Sequence, residues 1–308
     1  MAEFFGACFL VYHWCGFSVG FILLWILFAS PYTPLFIKDL SMYGKVVSAR
    51  SKTIIEKVIQ IPKSYFKHYY LTSMISNGYL LWVLVNVYFL GGQAPSWYIK
   101  CVQMLTYYPV NKPSVSHLSV LLMATVIVFQ GTKRFLECVI LSKYSKATMN
   151  VVHYVLGITF YLFCGFSLIS EAPDLSKPVP FTGPVELFKQ QIRWYHIFAI
   201  LLYVWSSWHQ YICHKIFSDL RKTDKDKNSH KIPYGDWFQY VSCPHYFFEI
   251  LIYTSGIFML GFSHQMWYMV YAFVITNQLA ASYTVHKWYK DKFEDYPKNR
   301  TAVIPFVY

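Results

Sequence analysis

An all-α bundle of about seven membrane-spanning helices is the architecture expected of this chain. Three observations point to it. Charge is sparse: 14% of the 308 residues are charged, against roughly 25% in an ordinary globular domain. The chain is 56% hydrophobic and 20% aromatic, with mean hydropathy +0.33. Apolar runs close to the ~20 residues that cross a bilayer recur along its whole length. These features exclude a soluble two-domain protein, and the even spacing of the runs argues for one bundle spanning 1–308.

The spans are expected near 4–29, 70–90, 115–131, 151–170, 192–213, 246–262 and 266–284. The first follows acidic Glu3 without a basic leader, so it reads as an uncleaved span. The sixth is marginal in length. The last two are divided by Gly261–Gln265, which predicts a helical hairpin. The linkers Gly91–Ser114 and Glu171–Gln191 are rich in Pro and Gly and are expected as turns and extended segments. Arg221–Lys231 reads as a charged loop.

Net charge is +12. Twenty-two of the 27 Lys and Arg residues fall in 30–69, 132–150, 214–245 and the tail after 285. The positive-inside rule places that set, and the C-terminus, in the cytosol. Basic residues so distributed serve topology and anionic lipid or ligand rather than nucleic acid. The seven cysteines form no CxxC pair and read as small buried hydrophobes. No metal site is expected: His209 and Cys213 have the right spacing for zinc, but two ligands without a third make a weak site.

Four stretches carry chemistry. In IPKSYFKHYY (61–70), His68 and Tyr69 enter the second span at its first turn. They are either an interfacial aromatic anchor or a donor aimed at a substrate head. In FQGTKRFLEC (129–138), Gln130, Arg134 and Glu137 share a helical face. Arg134–Glu137 could be an ordinary rim ion pair, but Gln130 sits deeper, where a polar group needs a partner. In WHQYICHKIFSDLRK (208–222), Gln210, His214, Phe217 and Arg221 recur every three or four residues, a polar face of the kind that lines a cavity. In HKIPYGDWFQYVSCPHYFFEI (230–250), Pro233 and Gly235 make a turn, and His245 and Glu249 follow at i, i+4 inside an apolar run. A lone carboxylate there is costly unless paired. There is no Rossmann glycine fingerprint, Walker loop, HExxH or nucleophile elbow.

The tail HKWYKDKFEDYPKNRTAVIPFVY (286–308) is suddenly dense in charge and aromatics. Its run FEDYPKNRTAVIPF resembles the C-terminal signature of the steroid 5α-reductase family, which comprises membrane-embedded, NADPH-dependent reductases of activated carbon–carbon double bonds. The blocks PKSYFKHYY, KRFLEC, HQYICHKIFSDLRK, IPYGDWFQYVSCPHYFFEI and HKWY…YPKNR are similar to the polyprenol-reducing branch of that family. The likeness runs from about residue 61 to the end.

The resemblance implies NADPH held by the C-terminal region, 191–308, and substrate-side helices in 61–190, with 1–60 adding a span and a basic loop. It implies a polyisoprenoid lipid substrate, a place in dolichol synthesis for protein N-glycosylation, and residence in the endoplasmic reticulum membrane. Carried over position by position, the cofactor set is Gln210, His214, Arg221, Lys231, Tyr240, Ser242, His245, Glu249, His286, Tyr289 and Arg300. The candidate catalytic residues are His68, Tyr69, Gln130, Arg134 and Glu137. The steroid-reducing branch has Asn at 210, Asp at 214 and Asn at 245. It also has a Glu on the second span, where this chain offers His68-Tyr69, and a Tyr at or next to Gly131. These departures favour a polyisoprenoid over a steroid. A steroid or enoyl-CoA reductase remains the nearest rival. A lipid transporter would be expected to show two related halves, and none is visible.

Overall fold

The computed structural model describes residues 9–30, 32, 60–106, 113–144, 148–177, 179, 183–221 and 230–308. Most of the basic loop 30–59, the start of the first span and the middle of Arg221–Lys231 lie outside these residues.

Helices dominate what is described. They are α1 (Phe9–Ala29), α2 (Phe66–Phe89), α3 (Ser96–Leu105), α4 (His117–Leu136), α5 (Val151–Ile169), α6 (Pro184–Gln191), α7 (Trp194–Asp219), α8 (Pro244–Met259) and α9 (Gln265–Lys292). Two three-residue strands, β1 (Gln60–Pro62) and β2 (Thr148–Asn150), pair antiparallel with Gln60 opposite Asn150. This clip ties the entry of α2 to the entry of α5.

Helices lie over each of the expected apolar runs, but among the described residues three of them qualify as membrane spans. Phe9–Leu27, His117–Leu141 and Val151–Ile169 are long and apolar enough to cross a membrane by length and composition, so the chain is a multi-pass membrane protein. Their surroundings bear this out. On α7, Trp194, Ile197, Leu201, Val204 and Trp208 are exposed, at the 3–4 spacing of one helical stripe. The opposite face buries His196, Ser206, Ser207 and Gln210. A helix that turns apolar residues outward and polar ones inward is adapted to lipid, not water.

Sequence expectation and structure part company in three places. The two proline-rich linkers contain the helices α3 and α6. Pro95 is the N-cap of α3 and Pro184 opens α6, positions where the missing N–H removes no helical bond. The third span does not stop near 131. It runs on through α4 into a π-turn, Glu137–Leu141, so half of the expected loop 132–150 is helical. Likewise α9 continues to Lys292, taking in the start of the tail.

Packing centres on α2, which is wedged between α4 and α5. A Cβ at Gly131 would stand 2.6 Å from Ser73 Oγ, and one at Gly157 2.6 Å from the Tyr69 ring. Both glycines are therefore required for close helix approach, and together they fix the rotation of α2. In the other half α8 packs on α7 and α9. The α8–α9 hairpin turns through Gly261 (φ +62°), and His264 caps α9 by accepting from Trp267 N at 3.1 Å. The tail folds back on the start of α8. Thr301 N donates to Tyr240 O at 3.1 Å, and Ser242 N and Cys243 N donate to Thr301 O and Ala302 O.

Candidate active site

Where α2, α4, α7 and α8 converge, polar side chains form a continuous network inside the bundle. Gln210 on α7 is its pivot. Its Oε1 accepts from Gln130 Nε2 at 2.8 Å and from Lys133 Nζ at 3.0 Å. That orients its Nε2 to donate to Glu249 on α8. Lys133 also donates to Ser207 O at 2.9 Å, and Ser207 Oγ donates to Gln130 Oε1 at 3.3 Å. Beside this set, Arg134 Nη1 pairs with Glu137 Oε2, which His214 Nδ1 also meets at 2.7 Å. Arg134 Nη2 donates to the Tyr70 hydroxyl at 3.1 Å. Two cations thus face two carboxyl groups, which is how charge is tolerated at this depth.

The network forms one wall of a cavity of about 200 Å³. Tyr70, Arg134, Gln210, His214, His245 and Glu249 face it from that side. The far wall is mostly apolar, built by Phe21 of α1, Leu156, Gly157 and Phe160 of α5, and Phe273 and Val274 of α9, with Asn277 and Gln278 among them. Tyr70, Arg134 and Tyr161 also line a second, smaller chamber running towards Trp267. Tyr70 and Arg134 therefore stand at the junction of the two spaces.

The sequence-derived residues distribute unevenly over this geometry. Gln130, Arg134, Glu137, Gln210, His214, His245 and Glu249 come together. His68 does not reach the cavity. Its Nδ1 lies 3.0 Å from the Tyr154 hydroxyl. Tyr69 lines the cavity with its ring, but its hydroxyl is engaged by His153 O at 3.1 Å and Met149 Sδ. His209 takes Asp236 as partner at 3.0 Å, while Cys213 is buried beside Phe238 and Phe248. Sequence reasoning passed over Tyr70, which is buried and in the network, and counted Lys133 only towards the charge bias, although its ammonium bonds Ser207 O and Gln210. It also passed over Asn277 and Gln278. An adjacent amide pair in an apolar run is itself a signal of function.

A second group lies at the end of the bundle where the tail returns. Ser242 Oγ is 2.6 Å from His286 Nδ1 and 2.6 Å from the Tyr296 hydroxyl. Burial, then nearby Lys290, holds the His286 imidazole below its ordinary pKa. Burial pushes the Tyr296 phenol up, against the opposing hydrogen bonds from Ser242 and Arg300. His286 and Glu249 do not pair with each other; each has its own partners. Tyr289 stacks on Tyr296 at 5.3 Å, and half-exposed Tyr240 meets the Phe306 ring. Arg300 is buried at 4% exposure, with its guanidinium 4.8 Å from the Tyr234 ring centre. Its Nε and Nη1 have no hydrogen-bond partner among the described residues. A buried guanidinium left with open donors is a ready site for an anion. Nearby on the same rim, Arg221 donates to Lys143 O at 3.0 Å. Burial, with Arg221 close by, pulls the Lys63 ammonium down to about 8. Lys231 is exposed and follows His230, whose ring meets that of Trp288 at 5.0 Å.

Comparison with known proteins places the sequence among relatives. The profile of the 3-oxo-5-alpha-steroid 4-dehydrogenase family matches residues 147–308. A human protein named polyprenal reductase is 35% identical over 275 residues, covering 88% of this chain and 86% of the relative. The polyprenal reductase of Mesocricetus auratus is 33% identical over 314 residues, covering 96% and 94%. That of Danio rerio is 33% identical over 273 residues, covering 88% and 87%.

Proposed function

Because the chain belongs to the 3-oxo-5-alpha-steroid 4-dehydrogenase family, we propose that it is a reductase that saturates the α-isoprene double bond of polyprenal with NADPH. The observation that carries this reading is the junction at Tyr70 and Arg134, where a charged, hydrogen-bonded wall meets an apolar cavity. A long apolar molecule with one reactive polar end fits such a site. Hydride addition needs an electrophilic alkene. The double bond of a prenyl aldehyde is conjugated and polarised, whereas that of the alcohol is not, so the aldehyde is the direct substrate.

NADPH supplies a hydride to the β-carbon when bound. The chain's own residues do the rest. As the carbon–carbon π pair shifts towards the carbonyl, negative charge develops on oxygen, and the enolate then takes a proton at the α-carbon. Tyr70 is the acid for that step. Its hydroxyl accepts from Arg134, and its own proton is donated to no described residue. The guanidinium favours the phenolate left behind. Glu137 and His214 hold Arg134 in place, and Gln210, fixed by Gln130 and Lys133, orients Glu249. The residues at the tail fit the cofactor: the open donors of Arg300 suit a phosphate, with Arg221 and Lys231 as further cations.

Turnover tests the reading. The purified protein should oxidise NADPH with polyprenal and not with polyprenol. Equal or greater turnover of a 3-keto-4-ene steroid or an enoyl-CoA would assign it elsewhere in the family. The cofactor site has its own test. Arg300→Ala should weaken NADPH binding by about 10-fold or more, in line with loss of a charged hydrogen bond, while NADH binding changes little. An equal loss for both would remove Arg300 from the 2′-phosphate.

The charge bias puts this cofactor face in the cytosol, which suits a place in dolichol synthesis at the endoplasmic reticulum membrane. A glycosylation acceptor appended after Tyr308 should then stay unmodified. Efficient modification would reverse the orientation.

A further inference from the structure

Asn277 and Gln278 lie well inside α9, flanked by Val274 and Ala281, and both line the main cavity. Other amides inside the long helices bond through at least one side-chain atom, although Asn77 Oδ1 is left open. Asn77 Nδ2 donates to Ser73 O at 3.0 Å, and Gln130 and Gln210 bond each other. The neighbouring Thr276 and Ser282 hydroxyls return to their own helix. Neither Asn277 nor Gln278 has a side-chain hydrogen bond among the described residues. Placing two unmatched amides in an apolar span is costly unless a ligand engages them.

The surroundings define that ligand. Phe21, Leu156, Phe160 and Phe273 give the wall an apolar character. Arg134 is the one Lys or Arg among the described residues lining this cavity, and it belongs to the opposite wall, so the amides do not form part of a phosphate site. What fits is a neutral acceptor oxygen on an apolar body. A carbonyl oxygen has two lone pairs and can accept one N–H from each amide.

We propose that Asn277 and Gln278 form the oxygen subsite of the enzyme and hold the aldehyde of the prenyl substrate from the α9 side. This rests on the polyprenal reading above. It divides the chemistry between two walls. The amides hold the oxygen and stabilise the charge that develops on it, while Tyr70 is left to protonate the α-carbon. No redox partner beyond the hydride donor is needed. Two electrons arrive with the hydride at the β-carbon, the π pair moves to oxygen, and the enolate returns that pair to bind the proton from Tyr70.

Binding without turnover tests this. Farnesal is a short prenyl aldehyde, and farnesene is a hydrocarbon of the same chain length without the oxygen. The wild-type protein in detergent should bind farnesal at least ~10-fold more tightly than farnesene, as expected for a carbonyl held by two amide donors in an apolar cavity. Asn277→Leu and Gln278→Leu should each shrink that ratio, and the double variant should bring it near one. NADPH binding, measured on the same samples, should stay within about 2-fold of wild type and serves as the control for folding. Equal binding of the two probes by wild type overturns the proposal, as does a ratio that survives the double substitution. A ~10-fold loss of NADPH affinity instead would assign the amides to the cofactor. The two readings fail separately. An amide-dependent ratio without turnover of polyprenal would keep the subsite and remove the reaction. Turnover with an amide-independent ratio would do the reverse.

Discussion

Tyr70→Phe is expected to lower kcat with polyprenal by about 10²–10³-fold, the usual worth of a positioned acid, while NADPH binding is unchanged. The substitution removes one oxygen and leaves the ring, so the packing of α2 against α5 persists. What disappears is the proton that the enolate collects. Single-turnover kinetics isolates the chemical step, and a solvent isotope effect present in the wild type should change in the variant. Tyr69→Phe is the internal control. Its hydroxyl already donates within the protein, to His153 O, so it should cost stability rather than turnover. If Tyr70→Phe keeps its rate within a few-fold and Tyr69→Phe does not, the acid is Tyr69.

The choice between these two tyrosines shows where sequence reading ends. The sequence places His68, Tyr69 and Tyr70 at the mouth of the second span. Successive residues on a helix point about 100° apart, so they meet different surroundings: Tyr69 and Tyr70 both line the main cavity, but of the three only Tyr70 also lines the second chamber. Which residue takes that place depends on the rotation of α2 about its axis. That rotation is set by contacts with Gly131 and Gly157, residues about 60 and 90 positions away. No local pattern encodes it. By contrast, the face shared by Gln210 and His214, and the i, i+4 pair His245 and Glu249, lie within single helices, and helical periodicity alone put each set together.

Lys133 was not singled out for a related reason. The positive-inside rule counts charges without their direction, and the continuation of α4 past 131 turns this one into the bundle. Arg300 illustrates the non-local limit again. Its burial follows from the backbone bonds that join the tail to Tyr240, Ser242 and Cys243. Nothing in PKNRTA shows that those bonds form. The short helices α3 and α6 were hidden because proline was read as a breaker where it acts as a starter.

Glu137→Ala should destabilise the protein by about 3–5 kcal/mol, the cost of leaving a buried charge without its partner. Glu137 is 4% exposed. It bonds Arg134 and His214 and lies 3.7 Å from Lys133. Removing it leaves two cations close together with only Glu249 to offset them. Thermal unfolding in detergent, or the amount that reaches the membrane, reads the loss. Adding Arg134→Leu separates structure from chemistry. It removes the stranded charge, so the double variant should regain much of the lost stability, because buried ion pairs are often replaceable by apolar side chains. It should not regain turnover, because Tyr70 has then lost the guanidinium that favours its phenolate. Recovery of both would make the cluster a structural brace and take Arg134 out of the mechanism. Recovery of stability alone makes Arg134 the residue that positions and activates Tyr70, and explains why a costly set of charges stands inside an apolar bundle.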